Sequence, residues 1–277
     1  MLSPKEIAEQ TVNVGIKKAG LTWWRQLILG IVAGMFIALA GNASTVASIG
    51  APTPGLARML SGVLFGTGLI MVLLAGAELF TGNCLISMAV FEKKVKVISM
   101  LRNWVIVYIG NLIGGLIYSF LMSYTNQMDF DKAKLGANAI NVAVGKCNLD
   151  FLGAFILGIF CNVLVCVAVW VSYSSKDVVG KIVAMFFPIW IFVASGYEHC
   201  VANMYFIPMG MFCKGNDTYV AAAMEQYGLT AEQIATVNWE NFFVTNLIPV
   251  TLGNIVGGVV AVGAIYWFVY LKKTKEN

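Results

Sequence analysis

Charged side chains are scarce in this chain of 277 residues: Asp, Glu, Lys and Arg make up 12%, whereas soluble domains carry about 25%. So few charges cannot cover the surface of a soluble protein of this length, and the 59% of hydrophobic residues also excludes a disordered chain. There is a single histidine, and no basic run with interleaved aromatic residues suggests a nucleic acid partner. The chain must therefore face lipid over much of its area.

Closely spaced cysteine pairs are also missing. Six cysteines are present, with no Cys-x-x-Cys pair and with at least four in apolar stretches: Cys84, Cys147, Cys161, Cys166, Cys200 and Cys213. This pattern excludes a disulfide framework and a zinc site, and it indicates buried, reduced thiols. We expect neither a metal nor a cofactor.

Long apolar blocks dominate what is present. They cover residues 27–49, 59–91, 101–125, 151–173, 181–212 and 242–271, and they predict an all-α membrane protein with six transmembrane helices. We expect a transmembrane domain over 27–271 and a cytoplasmic tail over 272–277. Residues 1–26 are predicted to form a cytoplasmic or interfacial amphipathic helix, because Ser3-Pro4-Lys5-Glu6 has the residues of a capping box.

Basic residues are divided unequally between the two sides that six spans create. Thirteen of the 18 lysines and arginines lie in the N-terminal segment, the tail and the loops at 92–102 and 174–181, all on one side. Because Lys and Arg concentrate on the cytoplasmic side of membranes, both termini are predicted to be cytoplasmic.

The two halves of the chain repeat each other. A glycine, a glutamate and an asparagine recur at the same spacing in the second and fifth blocks: Gly76-x-Glu78-x4-Asn83 and Gly196-x-Glu198-x4-Asn203. Two asparagines and a glycine pair recur in the third and sixth blocks: Asn103-x7-Asn111-x2-Gly114-Gly115 and Asn246-x7-Asn254-x2-Gly257-Gly258. Three spans per half is an odd number, so the halves are predicted to have opposite topology, as an inverted 3+3 repeat.

The second and fifth blocks are too long for single spans and have polar centres. Interrupted backbone at membrane depth is tolerated only inside the protein or along a wet cavity. The sequence therefore predicts that the second and fifth helices are broken and that a site lies between the halves, near the midplane.

Four stretches of the chain carry a resemblance to a known family: Ala77-Glu78-Leu79-Phe80-Thr81, 103–115, 168–173 and, above all, the long stretch from Phe192 to Gly210. With these stretches the chain resembles, over about residues 20–271, the formate/nitrite transporter family of small-anion channels. After Thr81 the chain reads Gly82-Asn83-Cys84, which looks more like the hydrosulfide-channel branch. The resemblance implies an aquaporin-like fold, a homopentamer with a pore in each protomer, and the bacterial inner membrane as the location.

The same resemblance implies roles for polar residues. His199 would be the central pore histidine, and Thr81 would hydrogen-bond towards it from the loop that breaks the second span. Asn162 would be a polar neighbour of the pore. Lys146 would be the buried cation that attracts anions, with Glu198 as its counter-charge.

Five apolar residues of the pore are implied in the same way. Leu69 and Phe192 would form the cytoplasmic constriction, Phe65 and Leu79 would line or close the other side, and Phe80 of the motif would border the pore. Without the resemblance, these side chains cannot be told from ordinary core residues.

The residues themselves support part of this assignment. His199 is an ionisable side chain at membrane depth, where such residues are functional candidates. Glu78 is better explained as an acceptor that pins interrupted backbone, whereas for Glu198 that role and pairing with Lys146 remain equal alternatives. The remaining asparagines of the repeat are also expected to hold loops rather than ligands: Asn83, Asn203, Asn103, Asn111, Asn246 and Asn254.

These features predict a membrane channel or transporter for small monovalent anions. Hydrosulfide is the expected substrate, and formate and nitrite are also possible; proton coupling through His199 is an alternative to passive permeation. A water channel of the same architecture is a rival, but the Asn-Pro-Ala motif of aquaporins is missing at both breaks. An intramembrane enzyme using Ser195 or Cys200 with His199 is disfavoured, because there is no second histidine and no His-Glu-x-x-His motif.

Overall fold

The computed structural model describes residues 1–272 as a bundle of helices. Six helices in this part of the chain are long and apolar enough to cross a membrane: α2 (Trp23–Ser48), α3 (Pro54–Leu74), α6 (Val97–Ser123), α8 (Phe151–Ser172), α9 (Val178–Ser195) and α13 (Asn241–Tyr270). Shorter helices join them: α1 (Pro4–Ala19), α4 (Phe80–Asn83), α5 (Ile86–Phe91), α7 (Lys134–Cys147), α10 (Cys200–Cys213), α11 (Asp217–Tyr227) and α12 (Ala231–Ala235). The predicted all-α membrane protein with six spanning helices is confirmed.

The first spanning helix begins at Trp23, four residues before the predicted apolar block. Thr22 is extended and serves as its N-cap. The side chains of Trp23 and Trp24 are 63% and 46% exposed, which fits aromatic anchors at a membrane interface. At the other end of the chain, the tail predicted over 272–277 lies outside the described residues except for Lys272.

Helix α1 starts with the predicted capping box, in which Ser3 and Glu6 exchange side-chain and backbone hydrogen bonds. Its buried face includes Ala8 and Gly15, and a Cβ at Gly15 would lie 3.2 Å from Cβ of Ala89 in α5. The helix expected at the membrane surface thus packs against the helical body, because small residues on this face allow close approach.

The second and fifth apolar blocks each contain two helices separated by a non-helical segment. Helix α3 ends at Leu74, and α4 starts at Phe80; helix α9 ends at Ser195, and α10 starts at Cys200. In both segments a glycine adopts positive φ, 78° at Gly76 and 73° at Gly196. Residues other than glycine rarely adopt a positive φ, which explains why glycine occupies the same position in both halves.

Glycines bring spanning helices into backbone contact in each half. A Cβ at Gly114 would collide with the carbonyl oxygen of Ile31, which joins α6 to α2. A Cβ at Gly257 would collide in the same way with the carbonyl oxygen of Ile159, which joins α13 to α8. Both glycines belong to the predicted repeat, and they allow the asparagines one turn earlier to reach across the helix pair.

Replacing Gly114 by alanine tests this close packing. Overpacking typically costs about 1–3 kcal/mol, so Gly114→Ala is expected to lower the melting temperature of the detergent-purified protein by several degrees. Gly145→Ala is the matched control, because a Cβ there meets nothing within 4 Å and alanine favours a helix. Equal melting temperatures for the two variants, measured by intrinsic fluorescence, would contradict the packing argument.

Candidate functional site

A hydrogen bond between His199 and Thr81 joins the two interrupted regions. His199 is the N-cap of α10, and its Nδ1 accepts from the backbone N–H of Ala202 at 2.9 Å. Its Nε2 lies 2.9 Å from Thr81 Oγ1, and both side chains are buried. A backbone N–H can only donate, so a neutral ring must carry its proton on Nε2 and donate it to Thr81. The hydroxyl hydrogen of Thr81 is then free to point at a solute.

Lys146 and Glu198 form an ion pair beside this contact. Lys146 Nζ lies 2.7 Å from Glu198 Oε1, with side-chain exposures of 16% and 7%. Asn203 Nδ2 donates to Glu198 Oε2 at 2.6 Å and to Asn246 Oδ1 at 2.7 Å. Asn246 Nδ2 donates in turn to the carbonyl of Lys146 at 3.0 Å. Glu198 therefore both pairs with Lys146 and anchors the interrupted segment through Asn203.

The other half contains the same arrangement around Glu78. Lys18 Nζ lies 2.9 Å from Glu78 Oε1 and 2.9 Å from Asn83 Oδ1. Asn83 Nδ2 donates to Glu78 Oε2 at 2.7 Å and to Asn103 Oδ1 at 2.9 Å, and Asn103 Nδ2 donates to the carbonyl of Lys18. We call these two sets, Lys18–Glu78–Asn83–Asn103 and Lys146–Glu198–Asn203–Asn246, the polar clamps.

Sequence reasoning missed Lys18 as a partner of Glu78. A signal was present, because Lys18 and Lys146 each lie in the last turn of the helix that precedes the first span of their half. The repeat therefore includes α1 and α7 as well as the spanning helices.

Two further asparagines pair the backbone exposed by the interruptions. Asn111 Oδ1 accepts from the N–H of Phe80, and its Nδ2 donates to the carbonyls of Gly30 and Glu78 at 2.8 and 2.9 Å. Asn254 makes the equivalent bonds in the other half, to the N–H of Cys200 and the carbonyls of Gly158 and Glu198. Each of these amides thus uses its acceptor and one donor on backbone groups of an interruption, and its second donor on a carbonyl inside a neighbouring spanning helix, α2 or α8.

Asn162 and Cys166 hold the backbone of Thr81 from α8. Asn162 Nδ2 donates to the carbonyl of Thr81 at 3.2 Å and to the carbonyl of Asn254 at 2.6 Å. Cys166 Sγ lies 3.5 Å from the same Thr81 oxygen. Asn162 is therefore a positioning residue that connects the Thr81 segment to α13, because its side-chain N–H groups bond to backbone carbonyls.

A cavity of about 350 Å³ opens from the end of the molecule opposite α1. We call it the open vestibule; its lining includes Ser48, Arg58, Phe65, Lys146, Phe192 and His199. On the α1 side lies a chamber of about 20 Å³, lined by Gly15, Lys18, Leu69, Leu79 and Asn83 among others. This narrow chamber has room for about one water molecule. His199 lines the open vestibule, and Gly82, the residue after Thr81, lines the narrow chamber.

The aromatic constriction differs from the expected pairing. The rings of Phe65 and Phe192 meet edge to face with centroids 5.6 Å apart, and Phe192 stacks on His199 at 5.9 Å. Leu69 lines the narrow chamber with Leu79, not with Phe192. The reason is that Phe65 and Leu69 lie one helical turn apart along α3, so they reach different levels of the path. The expected pairs, Leu69 with Phe192 and Phe65 with Leu79, are therefore wrong.

Phe80 does not border either space. Its ring packs against Tyr108 and Trp104, with centroid separations of 4.9 and 6.0 Å. Because Phe80 starts α4 and its N–H bonds to Asn111, the side chain points into the contact with α6. The expectation that Phe80 lines the pore is corrected to an anchoring role.

The constellation of a hydrolytic enzyme is not assembled around the histidine. Both ring nitrogens of His199 are occupied by Ala202 and Thr81, and Ser195 is exposed on the end of α9. The interrupted helices, the buried Thr81–His199 hydrogen bond and the two spaces instead point to a membrane channel or transporter.

Comparisons with known proteins agree with this class. The sequence model of the formate/nitrite transporter family matches residues 5–268. The chain is 40% identical to the formate channel FocA of Haemophilus influenzae, over 99% of this chain and 95% of that protein. It is 36% identical to the formate channel FocA of Escherichia coli K12, over 100% and 97% of the two chains.

Solved structures give the same answer. A structure described as a pentameric formate channel with formate bound superposes with a TM-score of 0.79, at 40% identity, over 90% of this chain and 98% of that one. A second, described as an ion channel of the same family, superposes with a TM-score of 0.74 at 27% identity, over 95% and 98%. The chain belongs to the formate/nitrite transporter family, and it is a multi-pass membrane channel or transporter rather than an enzyme.

Asn254→Ala tests the role of the backbone-pairing asparagines. The change leaves the N–H of Cys200 and the carbonyl of Glu198 unpaired in a buried site, at a cost of about 1–3 kcal/mol for each unsatisfied group, and it removes the bond to the carbonyl of Gly158 in α8. We expect a fall of several degrees in melting temperature, or failure to purify a monodisperse protein. Asn13→Ala, at an exposed position of α1, is the control and is expected to melt like the wild type. A wild-type melting temperature for Asn254→Ala would refute this role.

Proposed function

We propose that the protein is a passive channel for small monovalent anions, with formate as the principal substrate. The observation that carries the proposal is the Thr81–His199 hydrogen bond between the open vestibule and the narrow chamber. We infer that one hydroxyl hydrogen of Thr81 then faces the solute path, among the apolar side chains that border it. An anion that has lost water there can accept that hydrogen as a replacement for hydration.

Apolar side chains on both sides of this hydroxyl set the size limit. Phe65 and Phe192 close the path on the vestibule side, and Leu69 and Leu79 border it on the chamber side. All four are at least 96% buried. A bare charge at this depth is costly, so these four apolar side chains exclude large and strongly hydrated ions. The N-terminus of α10 at His199 adds a partial positive charge at the same level.

The engagement of both ring nitrogens favours passage of the anion itself over proton-coupled transport. His199 holds Ala202 N–H through Nδ1 and Thr81 through Nε2. Handing a proton to the solute would require the ring to give up the bond to Thr81, which positions the free hydroxyl. A hydrogen bond from Thr81 needs no such rearrangement. Proton coupling through His199 is therefore the second candidate.

Formate is preferred to hydrosulfide on two grounds. The relatives named above are called formate channels, and one solved relative is described as having formate bound. The hydrosulfide expectation depended on Gly82-Asn83-Cys84. The side-chain amide of Asn83, however, is hydrogen-bonded within its polar clamp, and Cys84 Sγ lies 3.7 Å from the carbonyl of Phe80. Neither side chain offers a free polar group to a solute. Nitrite shares the charge and two-oxygen shape of formate and is expected to permeate.

The cellular setting follows from charge and from similarity. We propose that both termini are cytoplasmic, because 13 of the 18 basic residues of the sequence belong to the N-terminal segment, the tail and the loops at 92–102 and 174–181. The open vestibule then faces outward and the narrow chamber inward. We also propose a homopentamer in the bacterial inner membrane, with one path per protomer, on the basis of the solved relative described as pentameric.

Parallel influx assays test the substrate. Proteoliposomes are given formate, nitrite or hydrosulfide at equal concentration across pH 5 to 8, and urea is included as a neutral solute. We expect formate and nitrite influx above that of protein-free vesicles, with hydrosulfide slower. Faster hydrosulfide influx would restore the hydrosulfide assignment. Permeation by urea alone would overturn the anion-channel proposal in favour of a neutral-solute channel.

Thr81 variants test the site itself. Thr81→Val keeps the shape but removes the hydroxyl, and a lost hydrogen bond to a charged group typically costs about 1.5–3 kcal/mol, or roughly a 10- to 150-fold fall in formate flux. Thr81→Ser keeps the hydroxyl and is expected to retain most of the flux. If both variants transport like the wild type at equal reconstituted amounts, Thr81 does not contact the anion.

A further inference from the structure

The ionisable side chains that line the open vestibule do not contribute equally to its charge. Apart from His199 and Tyr197 they are Arg58, Lys146 and Glu198. Lys146 and Glu198 form a 2.7 Å ion pair, and both are largely buried. An approaching anion therefore meets a nearly neutral pair, whose opposite charges cancel at distances longer than the pair itself. The buried lysine alone does not make the vestibule positive.

Arg58 carries the charge that remains. It lies in the first turns of α3, at the rim of the vestibule, and it is exposed. Within the described part of the chain, its guanidinium forms no hydrogen bond and no ion pair. Its carbon Cζ lies 3.6 Å from the position that a Cβ would occupy on Gly196. The guanidinium thus projects towards the segment that leads to Glu198 and His199.

An interaction with the C-terminal end of α9 would neutralise only part of the positive charge on Arg58. Gly196 follows the C-terminus of α9, where a helix carries about −0.5 of an elementary charge. A full positive charge on Arg58 exceeds this partial charge. The N-terminal end of α3, close to Arg58 in sequence, adds a partial positive charge of its own. The net charge at the rim of the open vestibule is therefore positive.

We propose that Arg58 is the residue that captures anions at the mouth of the open vestibule. The inference rests on the proposed anion-channel function and adds the residue that concentrates the substrate. A guanidinium presents parallel N–H groups that match the two oxygens of a carboxylate or nitrite, and it stays charged at any physiological pH. Capture by Arg58 therefore favours planar two-oxygen anions over a single-atom acceptor such as hydrosulfide.

The salt dependence of formate influx tests this capture role. One unit charge about 6 Å from a solute changes its local concentration about threefold in water, and salt screens this effect. We expect Arg58→Gln to reduce initial formate influx into proteoliposomes about threefold at about 0.02 M salt and by less than about 1.5-fold at about 0.5 M salt. Arg58→Lys is expected to retain most of the low-salt influx of formate.

The control removes the same charge from a site outside the vestibule. Lys132 is exposed in the connection between α6 and α7 and does not line the cavity. Lys132→Gln is expected to transport formate like the wild type at both salt concentrations. The ratio of formate to hydrosulfide influx is measured in the same vesicles, and Arg58→Gln is expected to lower it at low salt.

Each other outcome overturns a definite part of the account. Unchanged influx in Arg58→Gln at low salt refutes capture by Arg58. An equal reduction at both salt concentrations, shared by Arg58→Lys, assigns Arg58 a packing role instead. No anion influx in the wild type refutes the proposed function itself, and it is distinguished from failure of the capture proposal by this wild-type measurement.

Discussion

The structure depends on the pairing of backbone groups at two interruptions inside an apolar body. Where α3 gives way to α4, and α9 to α10, N–H and C=O groups lose their helical partners, and lipid offers none. Asn111 and Asn254 supply missing partners, because each bonds one N–H and one carbonyl of an interruption and ties them to a carbonyl of a neighbouring spanning helix. Close helix packing at Gly114 and Gly257 lets these amides reach across. A polar site at this depth is possible only because the surrounding backbone is satisfied.

The polar clamps apply the same solution to buried charge. Each glutamate has a lysine within 2.9 Å and an asparagine amide that links it to the next spanning helix. Removing one member of such a pair leaves a buried charge, which is strongly destabilising, so the clamps fix geometry rather than offer free charge to a solute. This is why the net attraction of the open vestibule is assigned to Arg58.

The proposed site lies where the two halves of the chain differ in sequence. Positions 120 residues apart are equivalent in the interrupted blocks, so His199 corresponds to Leu79 and Thr81 corresponds to Val201. Each equivalent pair thus combines an apolar residue in one half with a polar residue in the other. One half contributes the histidine and the other the threonine, and the two meet at 2.9 Å. The Thr81–His199 hydrogen bond thus joins two segments whose sequences otherwise repeat.

Much of the fold could be predicted from the sequence, because hydrophobic blocks about the length of a span allow few alternatives. These blocks predicted the six spanning helices, and the residues Ser3 to Glu6 predicted the capping box of α1. The levels of Phe65, Leu69 and Phe192 could not be predicted, since composition does not tell which turn of a helix faces which neighbour. Phe80 was misplaced for the same reason.

The roles of the basic residues were the least predictable. Lys18 needed the packing of α1 against the body before its bond to Glu78 became visible. Arg58 is an ordinary loop-flanking arginine in sequence, and only the vestibule gives it significance. Long-range charge pairing depends on tertiary structure, which a local pattern does not contain.

The central claim is that the solute crosses as an anion that accepts a hydrogen bond from Thr81, without taking a proton from His199. The measurement that tests it most directly is the reversal potential of formate currents in planar bilayers, with a formate gradient and equal pH on both sides. The account predicts a current whose reversal potential follows the formate gradient and does not shift when a pH gradient is imposed. Formate flux without current, or a reversal potential that follows the pH gradient, would contradict it.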